Sequence, residues 1–175
     1  KTTGWFLVCL VGICYTRYMT DERITELELK ANDIRQSIID MLEHAGSGHT
    51  AGPLGMTDIF TALYFEVMQH DPKNPDWEER DWLFLSNGHT VPVRYATMAH
   101  AGYFPVEELR TLRKFGTRLQ GHPERHALPG IEHTSGPLGS GLGQACGVAY
   151  GLKIDGQKNH VFCFTGDGEL DCGNI

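Results

Sequence analysis

The segment His160–Glu169, HVFCFTGDGE, places a carboxylate between two glycines directly after an apolar run. Residues 160–165 are short, apolar and bounded by glycine, which predicts a buried strand. Asp167 at the end of such a strand can hold a hard cation, and Gly168 lets a diphosphate approach the bare backbone. Gly-Asp-Gly is also an ordinary tight turn, so this segment alone leaves both interpretations open.

Polar motifs beside glycine precede this acidic turn at several places in the chain. They are SGH (residues 47–49), SNGH (86–89), GHPE (121–124) and SGPLG (135–139). Singly, each has a simpler structural explanation, since a lone histidine is usually a packing or surface residue and SGPLG suits the entry to a helix. Together, in front of one acidic turn, they are hard to explain by packing.

Composition restricts the class of protein. A chain of 175 residues with 41% hydrophobic residues can bury one core of ordinary size, so we expect a single domain. The formal net charge of −7 argues against a nucleic-acid-binding surface. The 5 cysteines are odd in number and lack Cys-x-x-Cys spacing, which favours a reduced cytoplasmic protein over a disulfide framework or a zinc site. The histidines also lack the spacing typical of a metal carrier.

The predicted scaffold alternates helices and strands. Thr20 is a candidate N-cap for a long amphipathic helix that begins at Asp21 and ends at Gly46. Further helices are predicted at 57–68, near 90–101, from Pro105 onward and at 140–153, and strands at 82–85 and 160–165, with a loop over 116–134. Strand, glycine turn, helix and strand again predict a doubly wound α/β fold with a mostly parallel sheet, helices on both faces and ligands at the carboxyl ends of the strands.

Two details of this scaffold are also predictions. Ile59 and Phe60 are both expected on the broad apolar face of the 57–68 helix. Arg94, a charge in an otherwise apolar stretch, is expected at the surface, with a phosphate contact as the alternative.

The first eighteen residues differ from the rest. The apolar run Trp5–Tyr15 is too short to span a bilayer, which needs about 20 residues, and no clear cleavage site follows it. We expect residues 1–18 to be an upstream extension or a misassigned start, and residues 19–175 to be the domain. A secretory leader and an interface or core segment are the alternatives.

Taken together and in this order, the motifs resemble the N-terminal part of transketolases, which are thiamine diphosphate enzymes, over Met19–Ile175. The pattern of motifs is closest in style to that of transketolases that are divided into N- and C-terminal subunits. The resemblance implies a thiamine diphosphate-binding fold, incomplete at its C-terminus, and an enzyme that moves a two-carbon ketol unit from a ketose phosphate to an aldose phosphate. Implied partners are these sugar phosphates and a C-terminal subunit or the rest of the same chain, in a homodimer or heterotetramer. No nucleic-acid or membrane partner is expected.

The resemblance also implies a cofactor and a metal. Asp167 matches the aspartate that binds Mg²⁺ or Ca²⁺, and Gly168 and His89 match residues that contact the diphosphate of thiamine diphosphate. The family's second side-chain metal ligand is an asparagine further along the chain, and Asn174 lies too close to Asp167 to take that part.

The remaining site residues follow in the same way. Gly136, Pro137 and Leu138 match the segment that lies against the rings of the cofactor. His49 and His122 match positions that face the substrate and are the catalytic candidates.

One departure and two alternatives remain open at this point. Cys172 stands where the family has a glutamate of a network across the dimer interface. Another thiamine diphosphate enzyme, such as 1-deoxy-D-xylulose 5-phosphate synthase, shares the acidic turn. A non-catalytic phosphate-binding module that kept the fold is the third interpretation.

Overall fold

The computed structural model describes residues 6–10, 13–17 and 19–175. The strands β1 (Phe6–Leu10) and β2 (Ile13–Arg17) pair with each other in antiparallel orientation. Of the segment predicted to be an extension, residues 1–5, 11, 12 and 18 lie outside the described residues, and its separateness from the domain stays a prediction.

Helix α1 (Asp21–Ala45) begins and ends where its capping residues predict. Thr20 has an extended backbone, and its hydroxyl accepts a hydrogen bond from the Arg23 N–H at 3.2 Å. Gly46 closes the helix with φ 64°, and its N–H donates to the carbonyls of Leu42 and Glu43. A glycine suits this left-handed position, because it has no Cβ to clash with the preceding turn.

The predicted 57–68 helix is present but changes character half-way. After α2 (Ala51–Gly55), α3 (Thr57–Ala62) is α-helical, and residues Leu63–Val67 continue it as a π-helical turn. Phe60 is buried, whereas Ile59 is 46% exposed, so the prediction that both lie in the core is wrong for Ile59. Neighbouring residues on an α-helix point about 100° apart, and the face buried here is centred on Phe60.

The second half of the chain contributes a parallel strand pair and the helices that cover it. Its elements are β3 (Trp82–Leu85), α4 (Val91–Ala101), α5 (Ser140–Ile154) and β4 (Val161–Phe164), with short 3₁₀ turns at Gly88–Thr90, Val106–Thr111 and Gly168–Asp171. Strand β3 pairs parallel with β4, Leu85 lying opposite Phe164. Both predicted strands are therefore confirmed, and their carboxyl ends lie at the same edge of the sheet. No helix in the described part of the chain combines the length and apolar composition that crossing a membrane requires.

Helices lie on both faces of this pair, as predicted. Leu83, Leu85 and Phe162 point into the main core together with residues of α1, α3 and α4. On the other face α5 approaches so closely that a Cβ on Gly141 would lie 2.6 Å from the Cα of Ser86. Only glycine permits this contact between helix and strand end.

Arg94 is buried, and its predicted surface position is wrong. Its guanidinium donates to the carbonyls of Leu83 (2.9 Å) and Gly130 (2.8 Å) and forms an ion pair with the carboxylate of Glu132. Burial pulls the pKa of Arg94 down, but the Glu132 carboxylate outweighs this effect and the net shift is upward. Arg80 adds a second cation to Glu132 at 2.6 Å. The error arises because α4 is buried all round, so the helix has no solvent face for Arg94 to occupy.

We expect Glu132→Ala to lower the free energy of unfolding by about 3–5 kcal/mol, because it leaves the buried Arg94 charge without its partner. Urea denaturation of the protein measures this loss. The control is Asp58→Ala, which breaks the exposed Arg35 pair and should cost less than about 1 kcal/mol. Equal losses for the two variants would contradict the assignment.

Candidate active site

The carboxyl ends of β3 and β4 bring two of the predicted motifs together. The segment 86–89 follows β3, and the acidic turn 166–169 follows β4. A Cβ on Gly166 would lie 3.8 Å from the Cβ of Asn87, so the two segments are in contact. Parallel pairing has this consequence, because it aligns the ends of both strands.

Glu169 connects three segments at this edge. Its carboxylate is buried and accepts hydrogen bonds from the Ser86 hydroxyl (2.5 Å) and from the N–H groups of Gly139 (2.6 Å) and Gly166 (3.0 Å). These donors belong to the end of β3, the 135–139 loop and the acidic turn. The sequence pattern assigned no role to Glu169, and its only signal was a second acid beside Asp167.

The three histidines that follow glycine form a cluster. The rings of His49 and His89 lie 4.7 Å apart at an interplanar angle of 57°. Burial lowers the pKa of His89, and the neighbouring His49 and His122 lower it further. The pKa of His122 is lowered by burial, then by the charge of Arg113 and by His49. A lowered pKa keeps His89 and His122 neutral near pH 7, so each ring has one donor and one acceptor nitrogen.

The 135–139 loop lies against the segment after β3. A Cβ on Gly88 would lie 2.2 Å from the Oγ of Ser135, so the contact requires glycine at that position. At Gly136 a Cβ would meet nothing within 4 Å, and Leu138 is 38% exposed. Together with the exposed Pro137, the loop offers uncovered backbone and an apolar side chain, which suits a flat ring.

Asp167 is exposed on the acidic turn, and within residues 19–175 its carboxylate makes no hydrogen bond or ion pair. A Cβ on Gly168 would meet nothing within 4 Å, so the backbone beside it is open. Asn87, in contact with this turn, has a buried Oδ1 without a partner among the described residues. One free carboxylate next to open backbone fits a cation that takes its other ligands from diphosphate and water. No cluster of three or more metal-binding side chains occurs in the described part of the chain.

Comparison with known proteins identifies the family. The family model for the thiamine diphosphate-binding domain of transketolase matches residues 27–174. The chain belongs to the transketolase family.

Relatives and solved structures agree with this assignment. The chain is 41% identical over 157 residues to the 6-deoxy-6-sulfo-D-fructose transketolase subunit SqwG of Clostridium sp. (strain MSTE9), covering 90% of the chain and 57% of that protein. It is 41% identical over 150 residues to one of the subunits of the apulose-4-phosphate transketolase of Actinobacillus succinogenes, covering 85% and 54%. The transketolase from Leishmania mexicana superimposes with a TM-score of 0.77 at 36% identity, covering 84% of this chain and 24% of that one.

A Pichia stipitis transketolase in complex with sedoheptulose-7-phosphate gives a TM-score of 0.78 at 34% identity, covering 84% of this chain and 23% of that one. These likenesses confirm the predicted thiamine diphosphate-binding α/β fold and favour transketolase over the synthase alternative. The chain spans about half the length of the two subunit relatives and about a quarter of the two solved transketolases.

His133 packs against strand β3 at the end that leads into the 86–89 segment. It is buried, its ring lies 4.8 Å from that of Phe84, and its Nε2–H donates to the carbonyl of Leu85 at 3.2 Å. Burial, followed by the charge of Arg94, lowers the pKa of His133 to about 4. Its burial and its contacts with β3 make it a packing residue.

Titration of His133 should make the protein less stable in mild acid. The unfolded imidazole binds a proton near its ordinary pKa of 6.5, whereas the folded one stays neutral down to about 4. The unfolded state therefore binds more protons in this window, and stability falls as pH drops from about 6.5 to about 4, by up to about 3 kcal/mol. Urea denaturation at several pH values should show this extra loss in wild type but not in His133→Gln. Parallel pH profiles for the two proteins would exclude it.

Removing the Glu169 carboxylate should loosen the three segments it joins. In Glu169→Gln the side-chain NH₂ is itself a donor and faces other buried donors. This mismatch should lower the free energy of unfolding by about 1–3 kcal/mol. Hydrogen exchange of the Gly139 and Gly166 amides should become faster, while Glu107→Gln, an exposed control, should leave it unchanged. Unchanged protection of both amides in Glu169→Gln would refute this role.

Proposed function

We propose that this chain is the diphosphate-binding part of an enzyme that transfers a two-carbon ketol unit from a ketose phosphate to an aldose phosphate. One observation supports this proposal best. Asp167, with its free carboxylate, follows β4, and His89 follows β3 at the same edge of the sheet. The names of the relatives, which specify sugar phosphates or a sulfosugar, and the sedoheptulose-7-phosphate complex support this reaction class.

We assign the cofactor residues as follows. When bound, thiamine diphosphate supplies the carbon nucleophile and the electron sink that ketol transfer needs. Asp167 would hold Mg²⁺ or Ca²⁺ at the diphosphate, and the Gly168 N–H and His89 would donate hydrogen bonds to the diphosphate. Gly136, Pro137 and Leu138 contact the rings, since their loop presents open backbone and an apolar side chain.

His49 and His122 are the residues we assign to the substrate. Both side chains are exposed, so both imidazole rings are accessible to a ligand. A neutral His122 can donate a hydrogen bond to a sugar hydroxyl or carbonyl oxygen, or accept the proton of a hydroxyl group. These actions would orient the sugar and move protons at its hydroxyl and carbonyl groups.

Two relatives are named as subunits of transketolases, which supports a further portion of the enzyme beside this one. We infer a C-terminal transketolase portion, either as a separate polypeptide or as more of the same chain, in a homodimer or heterotetramer. The outer side of α5 suits such a contact, since Tyr150 and Ile154 are 69% and 67% exposed. Free thiols at Cys146, Cys163 and Cys172 fit the reducing cytoplasm.

Calorimetry of the complete enzyme with thiamine diphosphate and Mg²⁺ tests the metal role. Asp167→Ala should weaken cofactor binding at least about 10- to 100-fold, because even residues that only support metal ligands cost that much when lost. Asp171→Ala, an exposed acid on the same turn, is the matched control and should bind like wild type. Equal cofactor affinity in Asp167→Ala and wild type would overturn the assignment of the metal ligand.

A further inference from the structure

Asn87, just after β3, is buried with one of its polar atoms unused. The residue is 4% exposed, and its Oδ1 has no hydrogen-bond partner in the described part of the chain. Its Nδ2 donates to the sulfur of Met56 at 3.7 Å, and a thioether is a weak acceptor. A buried carbonyl oxygen without a donor makes folding less favourable. An orphaned oxygen in a native structure therefore calls for a partner that these residues do not supply.

The main chain around Asn87 is held in place. The Asn87 carbonyl accepts hydrogen bonds from the N–H and the hydroxyl of Thr90, both at 2.9 Å. The next residue, Gly88, packs so tightly that a Cβ there would lie 2.2 Å from the Oγ of Ser135. The unused oxygen therefore belongs to a firmly built position and not to a loose surface loop.

The amide of Asn87 lies against the acidic turn. A Cβ on Gly166 would lie 3.8 Å from both the Cβ and the Nδ2 of Asn87. Gly166 directly precedes Asp167, the metal ligand that we assign, and His89, assigned to the diphosphate, follows Asn87 by two residues. Asn87 thus adjoins the cation ligand across the sheet edge and a diphosphate ligand along the chain.

We propose that Asn87 is a positioning residue of the metal site, and that its Oδ1 accepts a hydrogen bond from a water ligand of the cation. The inference rests on the proposed function and adds a residue to it. Mg²⁺ usually keeps several water molecules beside one or two carboxylates, and groups that bind such outer ligands orient the metal. The amide oxygen is neutral, so it adds no negative charge beside the diphosphate. Gly166 and Gly168 give the adjoining turn the freedom to admit this water.

This role predicts opposite effects on stability and on metal binding. Asn87→Leu keeps the side-chain volume but removes the unpartnered oxygen. Without cofactor, the variant should unfold at the same urea concentration as wild type or a higher one, because a buried acceptor without a donor is gone. With thiamine diphosphate present, its Kd for Mg²⁺ should rise about 10- to 100-fold, the usual loss for a residue that supports a metal ligand. Urea denaturation and calorimetry of the complete enzyme measure the two effects.

Two further variants complete the experiment. Asn87→Asp keeps an acceptor oxygen at the same place and should bind Mg²⁺ at least as tightly as wild type. Asn159→Leu is the matched control. Asn159 also has an unpartnered Oδ1, but it precedes β4, and its Nδ2 donates to the carbonyls of Glu78 and Arg80 at 2.7 Å each. Its replacement should lower stability and leave the affinity for Mg²⁺ unchanged.

The outcomes that contradict the proposal can be told apart. Unchanged Mg²⁺ affinity in Asn87→Leu, or a marked loss of its stability without cofactor, would overturn the role of Asn87 and leave that of Asp167 intact. Equal losses of affinity in Asn87→Leu and Asn87→Asp would show that the amide acts as a donor, and would overturn the acceptor role. A wild-type enzyme that binds no thiamine diphosphate in the presence of Mg²⁺ would overturn the proposed function, and this inference with it.

Discussion

The buried carboxylate of Glu169 accepts hydrogen bonds from three segments that are distant in sequence but meet at one sheet edge. Removing any of these donors from water without a partner would be costly, so the carboxylate and its donors hold one another in place. As a result the acidic turn, the 135–139 loop and the end of β3 have fixed relative positions. The Asp167 carboxylate and the open backbone at Gly136 belong to two of these three segments.

The site combines charged side chains with neutral imidazoles. In the proposed function, Asp167 offers the negative group on which a cation would be held at the diphosphate. Arg113 offers a positive group, and its charge contributes to the lowered pKa of His122. His89 and His122 both have lowered pKa values and stay neutral near pH 7. Neutral rings can exchange hydrogen bonds with hydroxyl and carbonyl groups without adding a charge of their own.

The segments next to the site are held by polar contacts as well as by apolar packing. The Arg94–Glu132 pair ties α4 to the 130–132 segment, and His133 connects the next residues of that segment to the end of β3. The segment that leads into the 135–139 loop is therefore anchored before it reaches the site. Helix α5, on the other face of the strand pair, carries exposed apolar side chains.

The amino-acid sequence by itself determined the local elements and the motifs. Thr20 and Gly46 mark the ends of α1 through hydrogen bonds within one turn, and the apolar runs at 82–85 and 161–164 form the strands because their residues favour burial. It also predicted ligands at the carboxyl ends of the strands, whereas the direct pairing of β3 with β4, which brings the two motifs into contact, was decided by the tertiary structure. Tertiary structure alone decided the burial of Arg94, the exposure of Ile59, the three donors of Glu169 and the position of Arg113. These features depend on contacts between residues that are far apart in the chain. No local sequence pattern encodes the free energies of such contacts.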